Sequence, residues 1–405
     1  MNQQNNFENN NSQEQELEKT DNQNTENISF DQNVDENIKL KSEENDGLIG
    51  DATHTTIKKK RKKLGKPQKI ILTILIVILV LLLSGILTVF ILIETGRKSL
   101  LNTDNMSMDL SSTASDAKVE EDGKTIISNG KRYVYNENMT TTLFMGVDQE
   151  DFSDIEGVNG LNGQADAIFL CAMDTSTGKS TIIPVSRDIM VDVDLYSEDG
   201  QYVSSSKKQL CLAYAYGDGK HTSCENTVKS VSRIFYGLPI NSYVAIDLEA
   251  IGVLTDKVGG VTLTPQVDFA YGSDIFSAGK EVILKGDAAR SFVQSRDMDI
   301  LTSNEDRILR QKQFMTAFFN SAFAKTKENI TFPVDVYSSI SKYMITDIDV
   351  AEISFFASCV LKGGGSLNYK SIEGETVMGE KHAERYVDDK SVYDTIIDVF
   401  YKPAD

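Results

Sequence analysis

Read as apolar and polar positions, the chain changes character twice. Residues 1–57 are mostly Asn, Gln, Glu and Asp, with very few aromatics. Such a stretch buries too little apolar area to offset its ordering entropy, so a disordered tail is expected. Residues 58–69 form a basic block: Lys58, Lys59, Lys60, Arg61, Lys62, Lys63, Lys66 and Lys69. Ile70–Ile93 then runs for 24 residues without a charge. As a helix it would span about 36 Å, more than a hydrocarbon core of about 30 Å. A secretory signal has a shorter apolar region, of about 7–15 residues, close to the first residue. The segment 70–93 therefore reads as a single transmembrane helix. The lysine block places the N-terminus in the cytoplasm and everything after Glu94 outside the cell, the type II arrangement.

Beyond the helix, residues 94–123 are rich in Ser, Asp and Asn and read as an extracellular spacer. Residues 124–137 read as a small hairpin turning at Asn129-Gly130. Residues 138–405 carry the pattern of a folded domain. Strands are expected at Thr141–Val147, Ala167–Met173, Ser180–Val185, Ile189–Val193, Ser242–Asp247 and Gly260–Thr264. Helical spacing falls at Lys208–Tyr216, Cys224–Tyr236 and Leu248–Val258. Two longer helices are expected at Asn304–Ala324, behind Ser303 and Asp306, and at Val350–Leu361, behind Asp347 and Asp349. Strands alternating with helices argue an α/β domain of α/β/α layers.

Composition narrows the function classes. The chain is 40% hydrophobic and 25% charged, enough for an ordinary core. Its net charge of -19, with no basic stripe on the folded part, argues against nucleic-acid binding. The three histidines are scattered and the four cysteines lack metal-ligand spacing, so neither a zinc site nor a His-based triad is expected. Outside the cell disulfides are permitted. Cys211 and Cys224 flank the loop Gly217–Lys220, and a crosslink there would be worth about 3 kcal/mol in the chain-entropy model. The alternative is that all four cysteines are small buried hydrophobes; Cys171, in an apolar strand, and Cys359, in an apolar helix, are expected buried.

Two sets of residues could carry chemistry. Four of the ten arginines, Arg290, Arg296, Arg307 and Arg310, fall in one short window, and Arg187 follows a strand. Guanidinium groups grip phosphate oxygens in pairs, and a helix N-terminus adds a field that favours anions. Surface ion pairs would explain the same cluster. Asp148 and Asp166 flank a Gly-rich stretch (EGVNGLNG) between two apolar strands. Carboxylates at one sheet edge suit Mg²⁺ on a phosphate, although turn aspartates often end strands.

The motif order is more specific than either set. MGVD and ADAIFL are followed by IIPVSRDIMVDV, AYAYG and DKVGGVTL, then by LKGDAARSFVQSRD and EDRILRQKQF. This series, from Thr141 to Ala324 (core 141–324), resembles the LytR-CpsA-Psr family of Gram-positive envelope enzymes. The resemblance implies three α/β/α layers with a central mixed sheet enclosing a hydrophobic tunnel for a polyprenyl chain. It implies transfer of a glycopolymer from a polyprenyl pyrophosphate carrier to peptidoglycan, a phosphotransferase reaction using Mg²⁺ or Mn²⁺.

Carried over by position, Asp148 and Asp166 match the metal-binding aspartates. Arg187, Asp188, Arg296 and Arg307 match the catalytic positions. Arg187, Gln294, Arg296, Arg307, Arg310 and Gln311 match the pyrophosphate-binding set. Two residues depart from the family pattern. Gln294 stands where the first arginine of an Arg-x-Arg pair is usual, and Cys211 where an asparagine is usual. Gln294 keeps open a second reading, a membrane-anchored polyprenyl-phosphate-binding or regulatory protein without turnover. Arg290 matches no phosphate position.

Overall fold

The computed structural model describes residues 66–101, 108, 110, 118–120, 124–150, 152, 163–197, 199–271, 274–295 and 303–404. The expected tail (1–57), most of the basic block and most of the Gly-rich stretch between Asp148 and Asp166 lie outside these residues, as do Arg296 and much of the expected spacer.

Helix α1 (Lys66–Leu100) contains the whole charge-free run and is longer than expected. Pro67 suits its first turn, where a missing N–H costs nothing. Glu94–Leu100, read from sequence as spacer, continue the helix, helped by the Glu94–Arg97 pair at 2.7 Å. Along the apolar run the side chains are bare: Leu81 is 65% and Ile86 66% exposed. No other part of the described chain covers them, and the helix is long and apolar enough to cross a bilayer.

A four-stranded sheet comes next. Strands β1 (Lys118–Val119), β2 (Thr125–Ser128) and β3 (Lys131–Tyr135) form a meander closed by the chain's last strand, β18 (Tyr401–Pro403). Asn129 and Gly130 turn β2 into β3 with φ of 51° and 70°, the left-handed pair a two-residue hairpin needs.

The centre is a mixed six-stranded sheet. It is built from β4 (Met139–Val147), β5 (Ala165–Asp174), β6 (Lys179–Pro184), β9 (Ser242–Ile246), β14 (Met344–Thr346) and β15 (Leu367–Tyr369). Its order is β14-β9-β4-β5-β6-β15. β4, β5 and β6 run antiparallel, while β9 and β15 add parallel to β4 and β6. Strands β7 (Met190–Tyr196) and β8 (Tyr202–Gln209) leave the sheet as a separate ribbon. The helix expected over Lys208–Tyr216 is thus reduced to α2 (Leu212–Ala215). Lys208 and Gln209 belong to a strand whose side chains are mostly exposed, so pairing with β7, rather than burial, sets its conformation.

Helices cover both faces of the sheet. On one side α2, α3 (His221–Ile234) and α9 (Asp389–Phe400) close the main core with Leu143, Met145, Leu170 and Ile183. On the other lie α4 (Leu248–Lys257), α5 (Gly286–Gln294), α6 (Ser303–Glu328), α7 (Phe332–Ile340) and α8 (Val350–Lys362). The first four of these, with the paired strands β10 (Val261–Leu263) and β13 (Val282–Leu284), hold a second cluster around Phe292 and Phe314. Asp349 and Glu352 start α8 with a reciprocal capping box. Two small hairpins, β11 (Phe269–Tyr271) with β12 (Asp274–Phe276) and β16 (Gly374–Met378) with β17 (Ala383–Val387), complete the fold.

Candidate functional site

The site forms where β5 begins, the turn after β6 passes and α6 starts. The β4–β5 register shifts there: Gly146 pairs with Ala167 and Val147 with Ala165, which leaves Asp166 as the extra residue of a β-bulge. A bulge re-aims a side chain that strict alternation would send to the other face.

Two arginines meet Asp166. The Arg187 Nη1 donates to Asp166 Oδ1, while Arg307 Nη1 lies 3.2 Å from Oδ2 and Arg307 Nη2 donates to the Asp166 carbonyl at 3.1 Å. Arg187 also donates to the Gln164 side chain at 2.6 Å and to the Cys211 sulfur at 3.3 Å. Arg307 is only 3% exposed. A second carboxylate sits behind the pair. Asp188 is buried, 3.5 Å from Arg187 Nε, and accepts from Asn304 at 2.8 Å and Gln209 at 3.2 Å. Asn304 in turn accepts from Arg307 at 2.9 Å, since residues three apart share a helix face. Burial opposes the Arg187 charge, but Cys211, Asp166 and Asp188 around it raise its pKa above the ordinary value.

This brings Asp166, Arg187, Asp188 and Arg307 together. Asp148 follows β4 at the same sheet edge, its N–H bonded to the Gln164 carbonyl at 2.9 Å and its side chain exposed. Arg310 and Gln311 turn elsewhere. Arg310 donates to the carbonyls of Phe292 (3.0 Å) and Ser295, and Gln311 to that of Val293 (3.1 Å). They clamp the C-terminus of α5, where unpaired carbonyls favour a cation. Gln294 is the exposed last residue of α5, and Arg296 falls outside the described residues. Arg290 pairs with Glu249 at 3.0 Å and Glu150 at 3.6 Å.

The Cys211–Cys224 crosslink is not formed: all four cysteines are free thiols. Cys211 faces Arg187, while Cys224 packs into the main core. The loop between them is held by hydrogen bonds instead. Tyr214 donates to the Gly219 carbonyl at 2.7 Å, Gly219 N–H to Ser223 Oγ at 2.7 Å, and Ser223 N–H to Asp218 at 3.1 Å. Burial pushes the Cys211 thiol up to about 11, with Arg187 opposing.

Sequence reasoning missed Asn304, Gln209 and Arg385. Arg385 of β17 donates its N–H to the Asp188 carbonyl at 2.8 Å, and its guanidinium lies 3.3 Å from Glu305 at the start of α6. The i,i+3 spacing to Arg307 could have found Asn304; nothing local marks the other two.

Beside this polar cluster the sheet's second face is apolar and loosely covered. Phe144 on β4 is 39% exposed although β4 is a central strand, and among the described residues it packs into none of the apolar clusters. Phe169, its partner in register on β5, is outside them too, although it is itself buried. Burial pushes the thiol of Cys171, on the same face, up to about 12, yet the side chain keeps some accessible surface. Ala167 and Met173 on the same face of β5 are likewise only partly covered.

The model of the LytR_cpsA_psr family matches residues 103–398. The chain belongs to this family. Among LytR_cpsA_psr relatives, a polyisoprenyl-teichoic acid–peptidoglycan teichoic acid transferase TagU of Enterococcus faecalis is 22% identical over 257 residues, covering 64% of this chain and 77% of the relative. The protein of the same description from Oceanobacillus iheyensis is 26% identical over 241 residues, covering 58% and 68%. The crystal structure of Bacillus subtilis TagV superposes with a TM-score of 0.50 at 21% identity, over 64% of this chain and 96% of that one, a likeness of fold.

Proposed function

We propose that this chain is a membrane-anchored transferase that moves a cell-wall glycopolymer from a polyprenyl pyrophosphate carrier to peptidoglycan. The observation that carries this reading is the convergence of Arg187 and Arg307 on one carboxylate beside a loosely filled apolar face. An anion grip next to an apolar cleft suits a phosphorylated lipid. The transferase names of the relatives support the same chemistry. The apolar helix after a basic block supports a type II anchor, with the domain outside the cell.

In the free protein Asp166 occupies the place of the substrate anion. Pyrophosphate oxygens would draw Arg187 and Arg307 from it, and the field of the α6 N-terminus adds to their pull. Asp188, held by Asn304 and Gln209, keeps Arg187 oriented while that exchange takes place. A wall-sugar hydroxyl then attacks the phosphorus that carries the glycopolymer. A P–O bond forms to the acceptor and the bridging P–O bond breaks. Polyprenyl monophosphate leaves with the electron pair, and the hydroxyl proton passes to a carboxylate. Of Asp148 and Asp166 at the sheet edge, the carboxylate that does not hold the metal is the group we assign to that proton. Both guanidinium groups stabilise the charge that builds on the leaving phosphate.

Among the described residues no three His, Cys, Asp or Glu side chains form a metal cluster. Mg²⁺ on phosphates needs only one or two carboxylates, and Asp148 and Asp166 are the residues that would hold it. Mg²⁺ or Mn²⁺, when bound there, would neutralise phosphate charge during the transfer.

The test is turnover by the full chain in nanodiscs, given a polyprenyl pyrophosphate sugar and peptidoglycan. Polyprenyl phosphate should be released, glycan phosphate should appear on the peptidoglycan, and EDTA should stop both. Carrier binding without release would leave a binding protein and sink the enzyme reading.

A further inference from the structure

The second face of β5 has a direction. From the bulge at Asp166 it runs through Ala167, Phe169, Cys171 and Met173, alternate residues that share one side of the sheet. Asp166 to Met173 is seven steps, about 23 Å of strand. One end is the arginine cluster. At the other end Met173 packs against a small buried cluster made by Leu100 of α1 and Phe355 and Cys359 of α8, which Ile93 and Phe356 also border. Ile93 is the last residue of the charge-free run. With that run across a bilayer, the far end of this apolar face and the outer boundary of the membrane would meet at one place.

The contact is fixed at backbone level. A Cβ at Gly96 would fall 2.4 Å from the Ala351 carbonyl oxygen, so α1 and α8 touch with no side chain between them. Thr140 Oγ1 also donates to the Leu100 carbonyl at 3.4 Å, tying the end of α1 to β4. Leu100, Phe355 and Cys359 are buried in this seam, but Ile93, Met173 and Phe356 are only partly covered. The Glu94–Arg97 pair and Lys98 stand just outside the run, where lipid headgroups would lie if the run spans a bilayer.

We propose that the α1–α8 seam, lined by Ile93, Met173 and Phe356, is the portal by which the carrier's polyprenyl chain joins the cleft to the bilayer. This rests on the carrier reading above. A chain longer than the cleft meets apolar side chains and lipid at that end, and water at the other. The membrane helix then serves as one wall of the lipid path as well as an anchor.

The experiment uses the full chain in nanodiscs with p-benzoylphenylalanine at Phe356 or, as a reference within the cleft, at Phe144. Labelled undecaprenyl phosphate should crosslink at both positions, and labelled farnesyl phosphate, whose chain stops short of the seam, at Phe144 alone. Undecaprenyl crosslinking at Phe144 without any at Phe356 overturns the portal and leaves the carrier reading standing. Crosslinking at neither overturns both. A second variant guards against local misfolding: Met173→Trp narrows the seam. Overpacking of this kind should lower the undecaprenyl-to-farnesyl turnover ratio by about ten-fold. An unchanged ratio overturns the portal.

Discussion

The two faces of the central sheet are built from the same strands and differ in what covers them. On β4, Leu143, Met145 and Val147 are at most 1% exposed and join the core beneath α2, α3 and α9. Their neighbours on the other face are Thr142, Phe144 and Gly146, of which Phe144 keeps 39% of its surface. Close packing on the first face supplies stability. The second face, under α6 and α8, gives up dispersion contacts that filled cores gain. Space for the proposed carrier, with two arginines at its end, would require that loss.

The largest contrast should come from truncating one residue on each face. Leu170→Ala, on the packed side, should destabilise the domain by about 2–5 kcal/mol. Phe144→Ala should cost about 1 kcal/mol or less, because little packing is lost, while weakening affinity for the carrier. Chemical denaturation and carrier-binding titrations of both variants check this. Equal stability losses would mean the second face is filled core.

Next in size are the arginines. Arg187→Ala should lower turnover by about 10²–10³-fold, by analogy with a lost oxyanion donor. Changing Arg187 and Arg307 together should be little worse than either change alone, because the residues act as a unit. Arg307 is buried, so Arg307→Ala should also lower the melting temperature, as removal of one buried ion-pair partner does. Turnover assays with parallel melts separate the two effects.

Arg290→Ala should leave turnover within about three-fold, since its pairs with Glu249 and Glu150 are partly exposed and worth about 1 kcal/mol or less. A larger loss would extend the site toward α5. The smallest effect concerns the thiols. With Cys211 pushed up to about 11 and Cys171 to about 12 by burial, both stay protonated at pH 8. Iodoacetamide should label neither in the folded chain, and both after denaturation. A Cys211–Cys224 disulfide in a non-reduced digest would contradict the free thiols.

Sequence reading recovered what local pattern encodes. The apolar runs at Thr141–Val147 and Ala167–Met173, the Asn129-Gly130 turn and the Asp349 cap each specify their element within a few residues. Asp166, Arg187 and Arg307 were legible through the order of the motifs, although only the fold brings them together. Arg310 and Gln311 belong to the same motif, yet they clamp α5, because side chains at successive helix positions point to different neighbours. Only Lys208 and Gln209, the end of β8, were read as helix and the rest of β8 was not read as a strand, because its mostly exposed residues lack the apolar alternation that burial imposes. Arg385 and β18 reach their places through contacts across most of the domain, which no local spacing reports.

The most direct test is a structure of the full chain with a bound polyprenyl pyrophosphate sugar. The account predicts phosphates within hydrogen-bond reach of Arg187 and Arg307, with at least one of these arginines released from Asp166. Lipid density should run over Ala167, Phe169 and Cys171 toward Met173. Phosphate bound elsewhere, with Asp166 still holding both arginines and the second face of the sheet bare, would contradict it.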